Sequence, residues 1–91
     1  MPNRITEKDL EMVLLHLNDL TNNPINYWKD DETLEHNEGH FYIEYAYGGC
    51  RLSQLCKQGA RDISPFRGTK KQIYTFIQAM ITGIQFYKDS Q

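Results

Sequence analysis

The sequence has few cysteines and no long apolar run, and each absence excludes a class of protein. Two cysteines are too few for the disulfide framework of a small secreted protein and for a four-ligand structural zinc site. No apolar run reaches the ~18 residues that a membrane-spanning helix needs. The opening Met1-Pro2-Asn3-Arg4 is not the apolar core of a secretory signal. We therefore expect a cytoplasmic protein with reduced thiols and no membrane partner.

Motifs for catalysis are also absent. There is no glycine-rich phosphate loop, no nucleophile elbow and no close cluster of metal ligands. His36 and His40 flank Glu38 at a spacing that can bind metal on a helix, but Gly39 makes a continuous helix there unfavourable. The sequence therefore predicts a non-enzymatic protein with no metal and no cofactor.

Length and composition indicate one domain spanning residues 1–91. The chain has 91 residues, of which 40% are hydrophobic and 24% are charged, as in ordinary globular proteins. A chain of this size buries enough surface for one small core.

Local patterns predict the order α-β-β-β-α. The first helix follows a cap at Thr6 and ends at Asn22-Asn23-Pro24, and the last follows a capping box formed by Thr69 and Gln72. Between them, strands are expected over residues 40–47, 50–57 and 60–64. The predicted fold is α+β, a three-stranded antiparallel meander with two helices packed on one face.

The first hairpin is expected to turn at Gly48-Gly49, because glycine accepts the positive φ that tight hairpin turns require. That register places Tyr45 opposite Leu52 and Tyr47 opposite Cys50. It also predicts that Phe41 and Tyr45 are buried while Glu44 is exposed.

The two charge signs are segregated along the chain. Residues 1–44 carry ten acidic and three basic side chains, a net charge of −7, whereas residues 45–91 carry a net +5. Such asymmetry suggests a partner guided by charge. The alternative is that the two halves neutralise each other within the fold.

Two charged segments are candidate binding sites. The first is a basic corner around the start of the last helix, where lysines oppose the helix dipole and amide groups are free to bind anions. It consists of Arg61, Arg67, Lys70 and Lys71. The second is an acidic loop of Asp30, Asp31, Glu32, Glu35 and Glu38. Either set could instead be a solvated surface.

A third candidate surface lies on the first helix. Its buried stripe leaves Met12 and Leu15 on the opposite face, beside His16 and Asp19. These two apolar side chains either form a contact surface or are isolated exposed residues of no consequence.

Three motifs stand out within residues 45–84. They are Tyr47-Gly48-Gly49-Cys50-Arg51-Leu52, the strand Arg61-Asp62-Ile63-Ser64-Pro65, and a final helix with Tyr74 and Gly83. Together they resemble small phage and prophage proteins of about this length, which implies the host bacterial cytoplasm as the location. The acidic segment before the hairpin departs from that pattern. The resemblance implies an accessory phage protein that binds a host protein, such as a defence or replication factor.

A looser likeness is to double-stranded-RNA-binding domains. These share the α-β-β-β-α order and a lysine pair that opens the last helix, here Lys70-Lys71. Their first helix also contacts RNA, whereas here Glu7, Glu11 and Asp19 make that helix acidic. A nucleic-acid-binding module is therefore the alternative function.

We predict that replacing Lys70 and Lys71 together with glutamate leaves the melting temperature equal or slightly higher. Each lysine in the first helical turn opposes the helix dipole, which lowers the stability of the helix by roughly a few tenths of a kcal/mol or more. Thermal denaturation followed by circular dichroism measures the change. A clear fall in melting temperature would show that the pair stabilises the fold.

Overall fold

The computed structural model describes residues 4–29 and 35–90. Within them the elements are α1 (Glu7–Leu20), β1 (Phe41–Ala46), β2 (Gly49–Cys56), β3 (Gly59–Asp62) and α2 (Lys70–Asp89). The strands form one antiparallel sheet in the order β1-β2-β3. The predicted α+β meander is thus confirmed.

Both helices begin with capping boxes, at the two threonines that the sequence predicts as caps. The Thr6 hydroxyl accepts the Asp9 amide at 3.2 Å, and the Asp9 carboxylate accepts the Thr6 amide at 2.8 Å. The carboxylate accepts hydrogen bonds from the Thr6 amide and, to a lesser effect, from the Thr6 hydroxyl, and these bonds hold the pKa of Asp9 below its ordinary value. Thr69 and Gln72 make the same pair of bonds at 3.1 and 2.9 Å. Each box satisfies amides that the first helical turn leaves free.

One face of the sheet carries the core. Ile43 lies opposite Leu52 and Tyr45 lies opposite Cys50, so these side chains share a face. Both helices pack on that face, and the buried cluster consists of Leu10, Val13 and Leu17 from α1, Ile73 and Ile77 from α2, and Phe41, Cys50 and Leu52 from the sheet.

A buried asparagine joins α1 to the sheet. Asn18 is 1% exposed. Its side-chain amide donates to the Phe41 carbonyl at 3.1 Å, and its oxygen accepts the Phe41 amide at 2.8 Å. Because both backbone groups of Phe41 would otherwise be buried without partners, this pair fixes the position of α1 over the start of β1.

Aromatic side chains gather on the opposite face of the sheet. The Tyr27 ring packs edge-on against Tyr42 at 5.4 Å, and the His40 ring stacks on Tyr42 at 6.3 Å between centroids. A backbone bridge joins Trp28 to His36. The segment before β1 therefore supplies its own small aromatic cluster on the side that the helices leave uncovered.

The hairpin register differs from the expected one. Ala46 pairs with Gly49, so the turn residues are Tyr47 and Gly48, and Tyr45 lies opposite Cys50. Gly48 and Gly49 both have positive φ, at 99° and 127°. Only Gly48 is a turn residue. Gly49 belongs to β2, and it lies where the backbone at Gly68 comes too close for a side chain. The shift moves each partner by two positions along β2 and so preserves the faces.

The expected burial of Tyr45 is wrong. Phe41 is buried as predicted, but Tyr45 is 50% exposed and Tyr47 is fully exposed, while Glu44 is only partly exposed. Tyr45 lies on the edge strand near the turn, where α1 covers only part of its ring. The third strand also ends early, at Asp62, although the Ile63 amide still donates to the Leu52 carbonyl at 2.9 Å.

Both cysteines are free thiols on β2, as predicted, with Cys50 buried and Cys56 partly exposed. Over residues 4–29 and 35–90, no helix has the length and apolar character needed to cross a membrane.

We predict that Gly49→Ala destabilises the protein much more than Gly59→Ala. Both glycines have φ near 130°, so alanine suffers similar backbone strain at each, about 1–2 kcal/mol. A Cβ at Gly49 would lie 2.5 Å from the Gly68 carbonyl oxygen, whereas at Gly59 it would meet nothing within 4 Å. We expect a loss of about 3 kcal/mol or more for Gly49→Ala, measured by urea denaturation. Equal losses would mean that the Gly68 contact is unimportant.

Candidate functional site

The turn of the first hairpin and the start of α2 meet at one end of the molecule. The Cys50 amide donates to the Gly68 carbonyl at 2.8 Å, and the Gly68 amide donates to the Cys50 carbonyl at 2.9 Å. This reciprocal pair acts as one rung of an extra strand beside β2. It fixes the chain immediately before α2 against the hairpin.

Arg67 strengthens the same junction. Its guanidinium binds the Glu44 carboxylate at 2.6 Å and approaches the Gly49 carbonyl at 3.5 Å. The Arg67 side chain is 22% exposed, so most of its length is held within the structure. Arg67 therefore joins the loop before α2 to both hairpin strands, and its charge is already partnered.

The Cys50 thiol lies beneath this junction. It is 2% exposed and its sulfur contacts the Gly68 carbonyl at 3.5 Å. Burial raises the pKa of the Cys50 thiol, and the nearby charges of Lys70 and Arg67 only partly oppose that effect. Cys50 is thus held as a neutral packing residue rather than as a thiolate nucleophile.

Lys70 and Lys71 occupy the first turn of α2, as the sequence predicts. Both are exposed, and this turn carries no acidic residue. Neither lysine forms an ion pair among the described residues. Their charges add to the positive end of the helix dipole and are open to solvent.

Two exposed tyrosines lie at the same end of the molecule, and one of them borders Lys70. Tyr45 and Lys70 border one shallow depression with Gly49, Cys50 and Gly68, and the fully exposed Tyr47 stands on the neighbouring turn. Partial burial and then the Glu7 charge raise the pKa of Tyr45. We call Tyr45, Tyr47, Lys70 and Lys71 the hairpin-end surface.

Sequence analysis missed the two tyrosines as surface residues. The alternation of side chains along the strand assigns both tyrosines to the core face. Tyr45 does lie on that face, opposite Cys50, but it is half exposed. One signal in the sequence could have identified Tyr47 as exposed. It directly precedes two glycines, so it is a candidate turn residue.

The fourth residue of the expected basic corner lies elsewhere. Arg61 pairs with Gln54 across β2 and β3, and its guanidinium binds the Gln54 side-chain oxygen at 2.7 and 3.1 Å. Gln54 is five residues along β2 from Gly49, a distance of about 17 Å. The structure therefore brings Arg67, Lys70 and Lys71 together and places Arg61 towards the opposite end of the sheet.

The acidic loop is described only in part. Asp30, Asp31 and Glu32 lie outside the described residues. Glu35 is exposed and pairs with Lys29 at 3.4 Å, and Glu38 is exposed. Such an exposed pair contributes little to stability.

Two of the three histidines bind backbone carbonyl groups. His36 Nε2 donates to the Cys56 carbonyl at 3.2 Å, and His40 Nδ1 donates to the Pro24 carbonyl at 2.9 Å. Within residues 4–29 and 35–90, no group of three or more His, Cys, Asp or Glu side chains could hold a metal ion.

Comparison with known proteins gives no relative. The chain matches no protein-family model, no curated protein and no solved structure.

We predict that Arg67→Ala lowers the free energy of unfolding by about 1–2 kcal/mol, because it removes a partly buried charge-assisted pair. Arg61→Ala is the matched control, and we expect it to cost less than about 0.5 kcal/mol, since that side chain is exposed. Urea denaturation of both variants tests the difference. Similar values would contradict a structural role specific to Arg67.

Proposed function

We propose that this chain is a non-enzymatic accessory protein of a phage or prophage that acts by binding a host protein. Defence and replication factors are the expected classes of partner. Binding uses the hairpin-end surface, and the chain provides recognition rather than chemistry.

The observation that supports this proposal most directly is the exposure of Tyr45 beside Lys70, with Tyr47 and Lys71 also exposed two residues and one residue further along their segments. Tyrosine is enriched at the energetic centres of protein interfaces, because it offers a large contact area with few rotatable bonds. The Cys50–Gly68 pair and the Arg67–Glu44 bond hold the supporting backbone in place. A surface ordered before binding loses less entropy when a partner docks.

The charge of this surface supports an acidic partner patch. Lys70 and Lys71 have no ion-pair partner among the described residues, and they stand where acidic residues would be more stable. Unpartnered charges at the rim of an interface accelerate association with a surface of opposite sign. The phage setting is supported by the resemblance of residues 45–84.

Affinity capture from bacterial lysate tests the proposal. The tagged full chain is compared with Tyr47→Ser and with the double variant Lys70→Glu/Lys71→Glu, after nuclease treatment. Lys57→Glu is the matched control, because Lys57 is exposed at the β2–β3 turn, at the other end of β2. We expect one protein to be retained by the parent and the control and to be reduced at least about tenfold with the hairpin-end variants. Equal retention by all four chains would contradict the assigned surface.

A nucleic-acid-binding function is the alternative. The α-β-β-β-α order and the exposed Lys70-Lys71 pair favour it, and the acidic side chains of α1 oppose it. Duplex RNA binding should then weaken with salt, and removing both lysines should reduce the log–log salt slope by about two. A parallel capture without nuclease that retains RNA or DNA and no accompanying protein would favour this function over the first.

A further inference from the structure

The outward face of α1 has an apolar centre with opposite charges at its two ends. Met12 and Leu15 are 64% and 53% exposed, and Lys8 and Asp19 are also exposed. At 3.6 residues per turn these four side chains fall within an arc of about 60°. The arc is directly opposite the buried stripe of the same helix, so it points away from the core.

These residues are arranged symmetrically along the helix. The midpoint of Met12 and Leu15 lies between Val13 and Leu14, and the midpoint of Lys8 and Asp19 lies at the same place. A two-fold axis through that point pairs the helix with an antiparallel copy of itself. Met12 of one copy then packs on Leu15 of the second, and Lys8 faces Asp19 at both ends.

No described residue pairs with the two charges of this face or covers its apolar centre. Neither Lys8 nor Asp19 forms an ion pair there. Ile25 is 53% exposed and borders the same face, lining a shallow depression with Leu15 and Asp19. The apolar surface therefore continues beyond the helix itself.

We propose that this face of α1 is a self-association surface that binds a second copy of the chain in antiparallel orientation. Charge complementarity identifies the occupant, because the lysine and aspartate are spaced to meet each other across the same two-fold axis that pairs the apolar residues. A single helix pair buries less than the ~1,200 Å² of a standard interface, so the dimer is reversible and forms with increasing concentration. The inference does not rest on the proposed function.

A charge-swap series tests this arrangement by sedimentation velocity across a range of concentrations. Lys8→Asp alone and Asp19→Lys alone each place like charges opposite each other at both ends, and we expect dimerisation to weaken at least about tenfold. Mixing the two single variants places opposite charges at both ends of a heterodimer and should restore association. The double variant Lys8→Asp/Asp19→Lys should also associate as the parent does.

The swaps are chosen so that folding is preserved. An acid in the first turn and a base in the last turn both favour the helix dipole, and α1 has no base in its last turn. Lys57→Asp controls for net charge. Leu15→Glu removes an apolar side chain from the centre of the face and should weaken association. Phe86→Ser is its matched control, since Phe86 is 75% exposed on α2. Circular dichroism confirms the fold of each variant.

Four results would overturn the proposal. The first is a parent chain that is monomeric at every concentration, and the second is association of the single swaps as strong as that of the parent. The third is loss of association with Phe86→Ser but not with Leu15→Glu, which would assign the contact to α2. The fourth concerns a different partner. A lysate protein lost on Leu15→Glu from a chain that stays monomeric would mean that this face binds a different partner.

Discussion

The reciprocal backbone pair between Cys50 and Gly68 is the constraint on which the hairpin end of the molecule depends. It joins segments 18 residues apart in the chain and places the start of α2 against β2. The approach is so close that any side chain at Gly49 would meet the Gly68 carbonyl. Because this contact brings two backbone segments together, it is strongly sensitive to the glycine beside Cys50.

Positive charges near this junction have two different uses. Arg67 is bound to Glu44 and contributes to stability, since its guanidinium connects the loop to the hairpin. Lys70 and Lys71 have no such bond among the described residues and oppose the helix dipole. Stability accounts for the first residue but not for the other two. Under the proposed function, contact with an acidic partner surface would offset this cost.

The sequence predicts the elements well because their signals are local. Both capping boxes and both buried helical stripes depend on residues within a few positions of each other, and the structure contains them. The hairpin register is not a local signal. Either glycine of Gly48-Gly49 could belong to the turn, and Gly49 is assigned to the strand by the approach of Gly68, which is distant in sequence. Asn18 gives no signal at all, since its partner is the backbone of Phe41, 23 residues away. The separation of Arg61 from Arg67, Lys70 and Lys71 has the same origin. Its position is set by pairing with Gln54 on β2, and not by its distance from the other bases along the sequence.

The two proposed surfaces have a geometric relation that bears on how the protein would act. Tyr45 lies near Glu7, so the hairpin-end surface adjoins the first turn of α1. Antiparallel pairing of α1 would therefore carry the two hairpin-end surfaces to opposite ends of a dimer. They could not combine into one cleft, and each would stay open to a separate partner. Such a dimer is bivalent, and two linked weak contacts on a multimeric target can bind far more tightly than either contact alone. Weak self-association and a small binding surface are then compatible with effective recognition, because the affinity is divided between two sites.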